Sequence, residues 1–291
     1  MKKILILGDG FLGTAIKSFA LNNFEVHSTT KRIELLNERV WYFDVHQREI
    51  LESLILKLQP EIVINCIALA NVESCEINRE DAYKINLEFP IFLAKVCKII
   101  DHRMKVIHIS TDHFNSDMPV PRDETVVFGC PNYYSFTKMK SDEILSRFFP
   151  NVLVLRTNFF GYNIRSTNSL IDFALSKFNS GQKFYGFTDI LFNPVSVNFL
   201  FTAIQNLISN GCSGVFNIAS DRVISKFDFF EIVEEVLFGH NRLVKAGLMS
   251  AQPHLVSRPK YMALDNSKFK SVSGIKVPTI ESMIREVLAS V

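Results

Sequence analysis

Cysteine is scarce and scattered. Cys66, Cys75, Cys97, Cys130 and Cys212 are an odd number in 291 residues, and none forms a CxxC pair. Neither a disulfide scaffold nor a thiolate zinc cluster is expected, and the pattern suits reduced thiols. The seven histidines are dispersed, with no HExxH and no ligand-like pairing, so no catalytic metal is expected. His108 lies inside a predicted strand and reads as a satisfied core histidine. Long apolar runs are missing too. Nothing approaches the roughly 20 apolar residues of a spanning helix. The opening MKKILILGDG places only about five apolar residues between two lysines and a glycine turn, too few for a signal peptide. No charge sign dominates: 32 Lys and Arg stand against 30 Asp and Glu. That balance gives no reason to expect a nucleic-acid or anionic-membrane partner. Glycine numbers only 12, which excludes a collagen-like chain, and there is no Ser/Gly linker and no internal repeat. The expectation is a soluble, cytoplasmic protein.

What is present is a large apolar fraction, 47%, with 26 phenylalanines. This suffices for a sizeable core, and clusters such as Phe227, Phe229 and Phe230 read as core packing. The first half alternates strand and helix. Ile4 to Leu7 is a short buried strand ended by glycine, and Leu12, Ile16, Phe19 and Ala20 follow at helical spacing. Strands are predicted at Phe24 to Thr29, Val40 to Phe43, Ile62 to Ile64, Val106 to Ile109 and Val152 to Leu155. Helices are predicted over Ile50 to Leu58, 79–100 and 133–148. This order predicts an α/β fold, a Rossmann-type doubly wound parallel sheet, with a smaller α/β C-terminal substrate lobe. Beyond about residue 160 the rhythm loosens. Gly161 to Thr167 reads as a loop, with helices near 168–179, 197–209, 226–238, 265–270 and 279–289 and strand-like pieces at 183–187 and 214–218. The expected division is a dinucleotide-binding domain over 1–160, with 189–219 packing back onto it. The substrate-binding lobe would comprise 161–188 and 220–291.

Three groups of residues carry chemistry. Gly8-Asp9-Gly10-Phe11-Leu12-Gly13 fits GxGxxG between a strand and a helix. There glycines allow a tight turn and close backbone approach, and the helix N-terminus offers free N–H groups to a pyrophosphate. The second strand then ends in Ser28-Thr29-Thr30-Lys31-Arg32, where an NAD site would place Asp or Glu. Hydroxyls and two cations favour the 2′-phosphate of NADP(H), with NAD(H) as the alternative; a solvated basic loop is the bland reading. Asp44, after the third strand, is placed either to accept from an adenine amino group or to cap the next helix. The third group is Tyr134 and Lys138, one helical turn apart on a predicted helix after the fifth strand, which ends in Ser110-Thr111-Asp112. An ammonium lowers the pKa of a neighbouring phenol, and a threonine hydroxyl can bond the same substrate oxygen.

The glycine turn, STD and YxxxK together resemble the extended short-chain dehydrogenase/reductases, and within them the dTDP-4-dehydrorhamnose reductase family. The likeness runs through VINCIALANVESCE, KINLEFPIFLAKVC, VIHISTDHF, VLRTNFFG and RPKYMALDNSKF. It implies NADPH-dependent reduction of a nucleotide-linked 4-keto-6-deoxy sugar. Tyr134 would be the proton donor, Lys138 would hold the nicotinamide ribose and tune Tyr134, and Thr111 would polarise the keto oxygen with Asp112 near the sugar. Gly10, Phe11 and Leu12 would touch the pyrophosphate, Asp44 and Val45 the adenine, and Ala68, Leu69 and Ala70 the nicotinamide side. Phe159 stands where the family usually has a substrate-contacting Trp. Arg258 is a candidate for the nucleotide diphosphate, or equally for a structural salt bridge. The resemblance leaves a homodimer open. Departures are a glycine turn one residue shorter than GxxGxxG and a shortened loop at His113-Phe114-Asn115. A sibling epimerase or dehydratase and a non-catalytic NADP-binding regulatory subunit are the alternatives; His113 stands where the dehydratases carry an acidic residue.

Overall fold

The computed structural model describes residues 1–114, 119–126, 129–162, 169–252 and 255–290. Asn115 and residues 163–167 of the expected loop lie outside the described residues. The chain divides into two compact units. The first comprises 1–110, 132–155 and 211–215; the second comprises 111–131, 156–210 and 216–291.

The first unit is built on strands β1 Lys3–Leu7, β2 Glu25–Thr30, β3 Val40–Tyr42, β4 Ile62–Asn65, β5 Lys105–Ile109 and β6 Val152–Thr157. Its helices are α1 Phe11–Ala20, α2 Arg48–Leu58, α3 Val72–Ile77, α4 Arg79–Tyr83, α5 Phe89–Ile100 and α6 Tyr133–Phe148. The strands line up as β6-β5-β4-β1-β2-β3, and strand Gly214–Ile218 completes a seven-stranded sheet beside β6. Pairing is parallel, with Leu5 opposite both His27 and Val63. Ile4 to Leu7 are fully buried, as an unbroken apolar run requires when helices cover both faces of a parallel strand. One apolar cluster gathers Leu7, Leu51, Val63, Phe89, Leu93, Val106, Leu145 and Val154. Burying each such side chain contributes roughly 1.5–3 kcal/mol.

The single helix predicted over 79–100 is instead α4, a π-helical turn Lys84–Glu88, and α5. Proline is the local reason. Pro90 stands in the first turn of α5 and has no N–H to donate to the carbonyl four residues back, while the Phe89 N–H reaches the Lys84 carbonyl. Asn86, in the widened turn, is wholly buried.

The second unit contains the short strands β7 Phe159–Phe160, β8 Phe184–Phe187, β9 Leu191–Phe192 and β10 Val195–Ser196, then β12 Ile224–Ser225 and β13 Val244–Gly247. (Gly214–Ile218 is β11.) Its helices are α7 Leu170–Asn179, α8 Val197–Ser209, α9 Lys226–Phe238, α10 Ser267–Ser273 and α11 Ile280–Leu288. The strands pair as β7 with β10, β9 with β12, and β8 with β13. Strand β8 lies close against the start of α9: a Cβ on Gly186 would stand 2.6 Å from the Phe227 Cα. Capping boxes start α7, from Ser169 and Asp172, and α9, from Ser225 and Asp228. The phenylalanines concentrate here. Phe160 and Phe192 each meet Phe229, and Phe184 meets Phe178 and Phe230, with centroids 5.1–5.8 Å apart. Offset and edge-on ring pairs of this kind add to simple area burial.

Candidate functional site

The glycine turn assigns a different task to each glycine. Gly8 has φ +95°, which side-chain-bearing residues rarely adopt. Gly13 faces the Gly8 carbonyl, whose oxygen would lie 2.0 Å from an added Cβ. At Gly10 an added Cβ would meet nothing within 4 Å. Gly10 is the N-cap of α1 and offers no side-chain oxygen, so no cap competes for the first N–H groups of the helix. Phe11 and Leu12 open that helix, Leu12 packing inward. A bare helix N-terminus beside an open backbone position fits a pyrophosphate.

Asp9, which the sequence offered only as a spacer in GxGxxG, organises the end of the second strand. Its carboxylate accepts from the Thr30 hydroxyl at 2.5 Å and from Arg32 Nε at 2.8 Å. Thr30 in turn accepts the Arg32 N–H at 3.0 Å, and Thr29 accepts the Gly8 N–H at 3.1 Å. These bonds explain why so polar a strand end is buried. Lys31 forms a 3.0 Å ion pair with Asp44. Burial pushes the Asp44 carboxyl up, but the His46 N–H and Lys31 more than offset this and hold it below the usual range. Asp44 therefore folds onto its own turn rather than onto a cap of α2, whose N-cap is Gln47. Val45 points into the core, 5% exposed, so it could meet an adenine only through its backbone.

Helix α6 begins where Asn132 accepts the Ser135 N–H at 2.9 Å, and Glu76 of α3 accepts the Tyr133 N–H at 2.6 Å. That bond comes first among the influences lowering the Glu76 pKa, ahead of Arg79 and against burial. Tyr134 is half-buried in the first turn. Lys138, one turn on, is 1% exposed. Its Nζ donates to the Ile109 carbonyl at 2.8 Å and lies 3.1 Å from His108 Nε2. Burial pulls the Lys138 pKa down to about 8, against the opposing charges of Asp142 and Cys66. The Cys66 thiol is pushed up to about 12 by burial, against the charge of Lys138.

Asn86, unmarked by the sequence reading, ties the loop after β4 to this helix. Its side chain accepts the Leu69 N–H at 2.9 Å, donates to the Leu69 carbonyl at 3.0 Å and reaches the Thr137 hydroxyl at 3.4 Å. Ala68 and Ala70 are exposed on either side of the pinned Leu69.

The remaining predicted residues belong to the second unit. Thr111 is buried and accepts the His113 N–H at 3.1 Å. Asp112, 3% exposed, accepts from Asn158 Nδ2 at 2.9 Å, beside half-buried Phe159. Burial pushes the Asp112 carboxyl up to about 6, opposed by the charge of Lys226 and by Asn158. Burial likewise pulls His113 down to about 3, helped by the charges of Arg258 and Lys226. The charge of Arg258 acts on both His113 and Lys226. Lys226 was not anticipated: a lysine at the first position of a capped helix usually points to solvent, and nothing in the sequence marks this one. Its Nζ stands 3.5 Å from the Phe192 ring centroid. The structure thus gathers Gly8 to Gly13, Thr30 to Arg32 and Asp44 in one unit with Tyr134 and Lys138, and it gathers Thr111, Asp112, Phe159 and Arg258 in the other. Among the described residues, no group of three or more His, Cys, Asp or Glu could hold a metal ion, and no helix is long and apolar enough to cross a membrane.

A family model, the RmlD substrate binding domain, matches residues 1–291. The chain belongs to the RmlD substrate binding domain family. Membership covers both units. Among relatives of this RmlD-type chain, a probable low-salt glycan biosynthesis reductase of Haloferax volcanii is 29% identical over 82% of this chain and 80% of its own. A dTDP-4-dehydrorhamnose reductase of Aggregatibacter actinomycetemcomitans is 22% identical over 99% of both. The crystal structure of the Bacillus anthracis dTDP-4-dehydrorhamnose reductase, in complex with NADP, superposes with a TM-score of 0.88 at 20% identity, covering 100% of each chain. At that identity the likeness carries the fold, which is that of the extended short-chain dehydrogenase/reductases.

Proposed function

We propose that the protein is an NADPH-dependent reductase of a keto group, at C4, on a nucleotide-linked 6-deoxy sugar, working in the cytoplasm. The observation that carries the reading is Lys138, an ammonium withdrawn from water one turn from Tyr134 on the helix that follows β5. The family match over the whole chain, and the relatives named for reductases of this kind, support the substrate class. The open Gly10 and the uncapped start of α1 suit the pyrophosphate of a pyridine dinucleotide, and Lys31 and Arg32 suit a 2′-phosphate. Five free thiols suit the cytoplasm.

The bound cofactor would supply a hydride. The chain's residues do the rest. Tyr134 donates its phenolic proton to the keto oxygen as it becomes an alkoxide, and Thr111 hydrogen-bonds that oxygen. Lys138 in its ammonium form stabilises the tyrosinate left behind. Asp112 and Arg258 contact the sugar and its diphosphate. His113 favours reduction over elimination: with its pKa near 3 it is a neutral imidazole, unable to serve as an acid at the position where a dehydratase carries a carboxyl group.

The test is NADPH oxidation with dTDP-4-dehydrorhamnose and a panel of other nucleotide-linked keto sugars. Tyr134→Phe should lower turnover by roughly 10²–10⁴, the usual cost of losing a positioned general acid, while NADPH binding survives. A Tyr134→Phe variant with full activity would remove the catalytic assignment. Failure to oxidise NADPH with any keto sugar would favour the non-catalytic alternative.

A further inference from the structure

A chain of hydrogen bonds leads from the backbone to Lys138, and its direction can be read. The Ile67 N–H, a group that can only donate, bonds Asn65 Oδ1 at 3.0 Å. This fixes which end of the Asn65 amide is which. Its Nδ2, also donor-only, then lies 3.2 Å from His108 Nδ1. An imidazole nitrogen that receives a donor carries no proton, so a neutral His108 must carry its hydrogen on Nε2. That nitrogen faces Lys138 Nζ at 3.1 Å. An Nε2–H can donate to Lys138 only when Lys138 is an amine with a free lone pair. An ammonium there would put hydrogen against hydrogen, or drive His108 to the other tautomer and set its Nδ1–H against the Asn65 amide. All three side chains, the Ile67 N–H and the Ile109 carbonyl belong to the first unit.

We infer that Asn65 and His108 are positioning residues that hold His108 in its Nε2–H tautomer and so make the proton of Lys138 easy to lose. The groups around Lys138 are otherwise Asp142 on its own helix, Cys66 after β4 and the Ile109 carbonyl of β5, with Tyr134 one turn earlier on that helix. Asp142 favours the ammonium; His108 opposes it. His108 itself stays neutral, its pKa held well below the ordinary range by burial and by the charge of Lys138. The consequence for catalysis rests on the reductase reading. After Tyr134 has given its proton to the substrate oxygen, a weakly held ammonium proton passes from Lys138 to the tyrosinate. The O–H bond of Tyr134 forms again, one N–H bond of Lys138 breaks, and the resulting amine accepts the His108 Nε2–H. Solvent then returns a proton to Lys138.

The decisive measurement is the tautomer of His108, read from long-range ¹H–¹⁵N spectra of histidine-labelled full-length protein, with the resonance assigned by its loss in His108→Gln. The expected result is a neutral ring protonated at Nε2 around pH 7. A ring protonated at Nδ1, or an imidazolium, would overturn the inference, whether or not the protein proves to be a reductase. Asn65→Asp supplies the converse. A carboxylate can accept both from Ile67 N–H and from His108 Nδ1–H, which leaves Nε2 as an acceptor for an ammonium. This variant should show the Nδ1–H tautomer, and the alkaline limb of kcat/KM should move up by about one pH unit or more. An unmoved limb together with a switched tautomer would sever His108 from the protonation of Lys138 and overturn the catalytic part alone. Should Asn65→Asp fail to fold, the wild-type spectrum still decides the tautomer.

Discussion

Lys138 in the first unit and Lys226 in the second both have their ammonium disfavoured by desolvation, yet their surroundings differ in kind. Lys138 is bonded to neutral groups, an imidazole and a carbonyl. Lys226 faces the Asp112 carboxylate and an aromatic ring, with the charge of Arg258 working against it. Neutral partners tie no second charge to the proton of Lys138, so that proton remains exchangeable. A carboxylate partner binds the proton state of the lysine to its own, and removing either charge strands the other. The first arrangement suits a group that must gain and lose a proton; the second suits a group that must stay in place and present a fixed field to a ligand.

The contrast is sharpest in paired substitutions. Lys138→Met should cut kcat by roughly 10²–10⁴. Lys226→Met should leave kcat within about tenfold and raise KM for the sugar nucleotide by about tenfold or more, the effect of losing a charged hydrogen-bonding group. Steady-state kinetics on both variants checks this, and equal losses of kcat would erase the distinction. A second pair compares how backbone approach is used. Gly13→Ala forces a Cβ onto the Gly8 carbonyl, and Gly186→Ala forces one onto the Phe227 backbone. Each should cost about 1–3 kcal/mol or more in stability. Only Gly13→Ala should also weaken NADPH binding. Gly10→Ala, with nothing nearby to strike, should melt near the wild-type temperature and still bind NADPH poorly. Thermal melts combined with NADPH titration separate the three.

Periodicity and turn residues exposed most of the fold. The apolar run of β1, the spacing of α2 and the extent of α6 required only local patterns, because local burial decides them. The π-helical turn at 84–88 was invisible because it arises from an absent Pro90 N–H acting inside an otherwise helical pattern. The pairing of β8 with β13 joins residues about sixty positions apart, and β13 is too polar to announce a strand. At the site, GxGxxG and YxxxK were legible since each is a short-range device. Asp9, Asn86 and Lys226 were not. Each acts through a partner distant in sequence, and each residue type is commonplace at its local position. His108 shows the limit most clearly. Its burial was readable from the strand, but its link to Lys138 depends on which side chains two neighbouring elements bring together.

The smallest expected effect tests the second member of the comparison through stability. Asp112 titrates near 6 in the folded protein, raised from 3.8 chiefly by burial, with Lys226 and Asn158 opposing. Between about pH 4 and about pH 6 the folded state keeps a proton that the unfolded state has released. Stability from this group therefore falls as pH rises through that window and is level above it. Other carboxylates, Glu76 and Asp44 among them, have lowered pKa values and contribute in the opposite sense, so the wild-type curve alone cannot isolate Asp112. The difference curve can. Asp112→Asn should gain stability relative to wild type as pH rises from about 4 to about 6, by on the order of 1 kcal/mol. Loss of the countercharge for Lys226 returns part of the gain. Urea midpoints for both proteins across this range give the measurement. Parallel curves would mean that Asp112 titrates like a solvated carboxyl, and the second unit would then hold no charge pair to set against the neutral partners of Lys138.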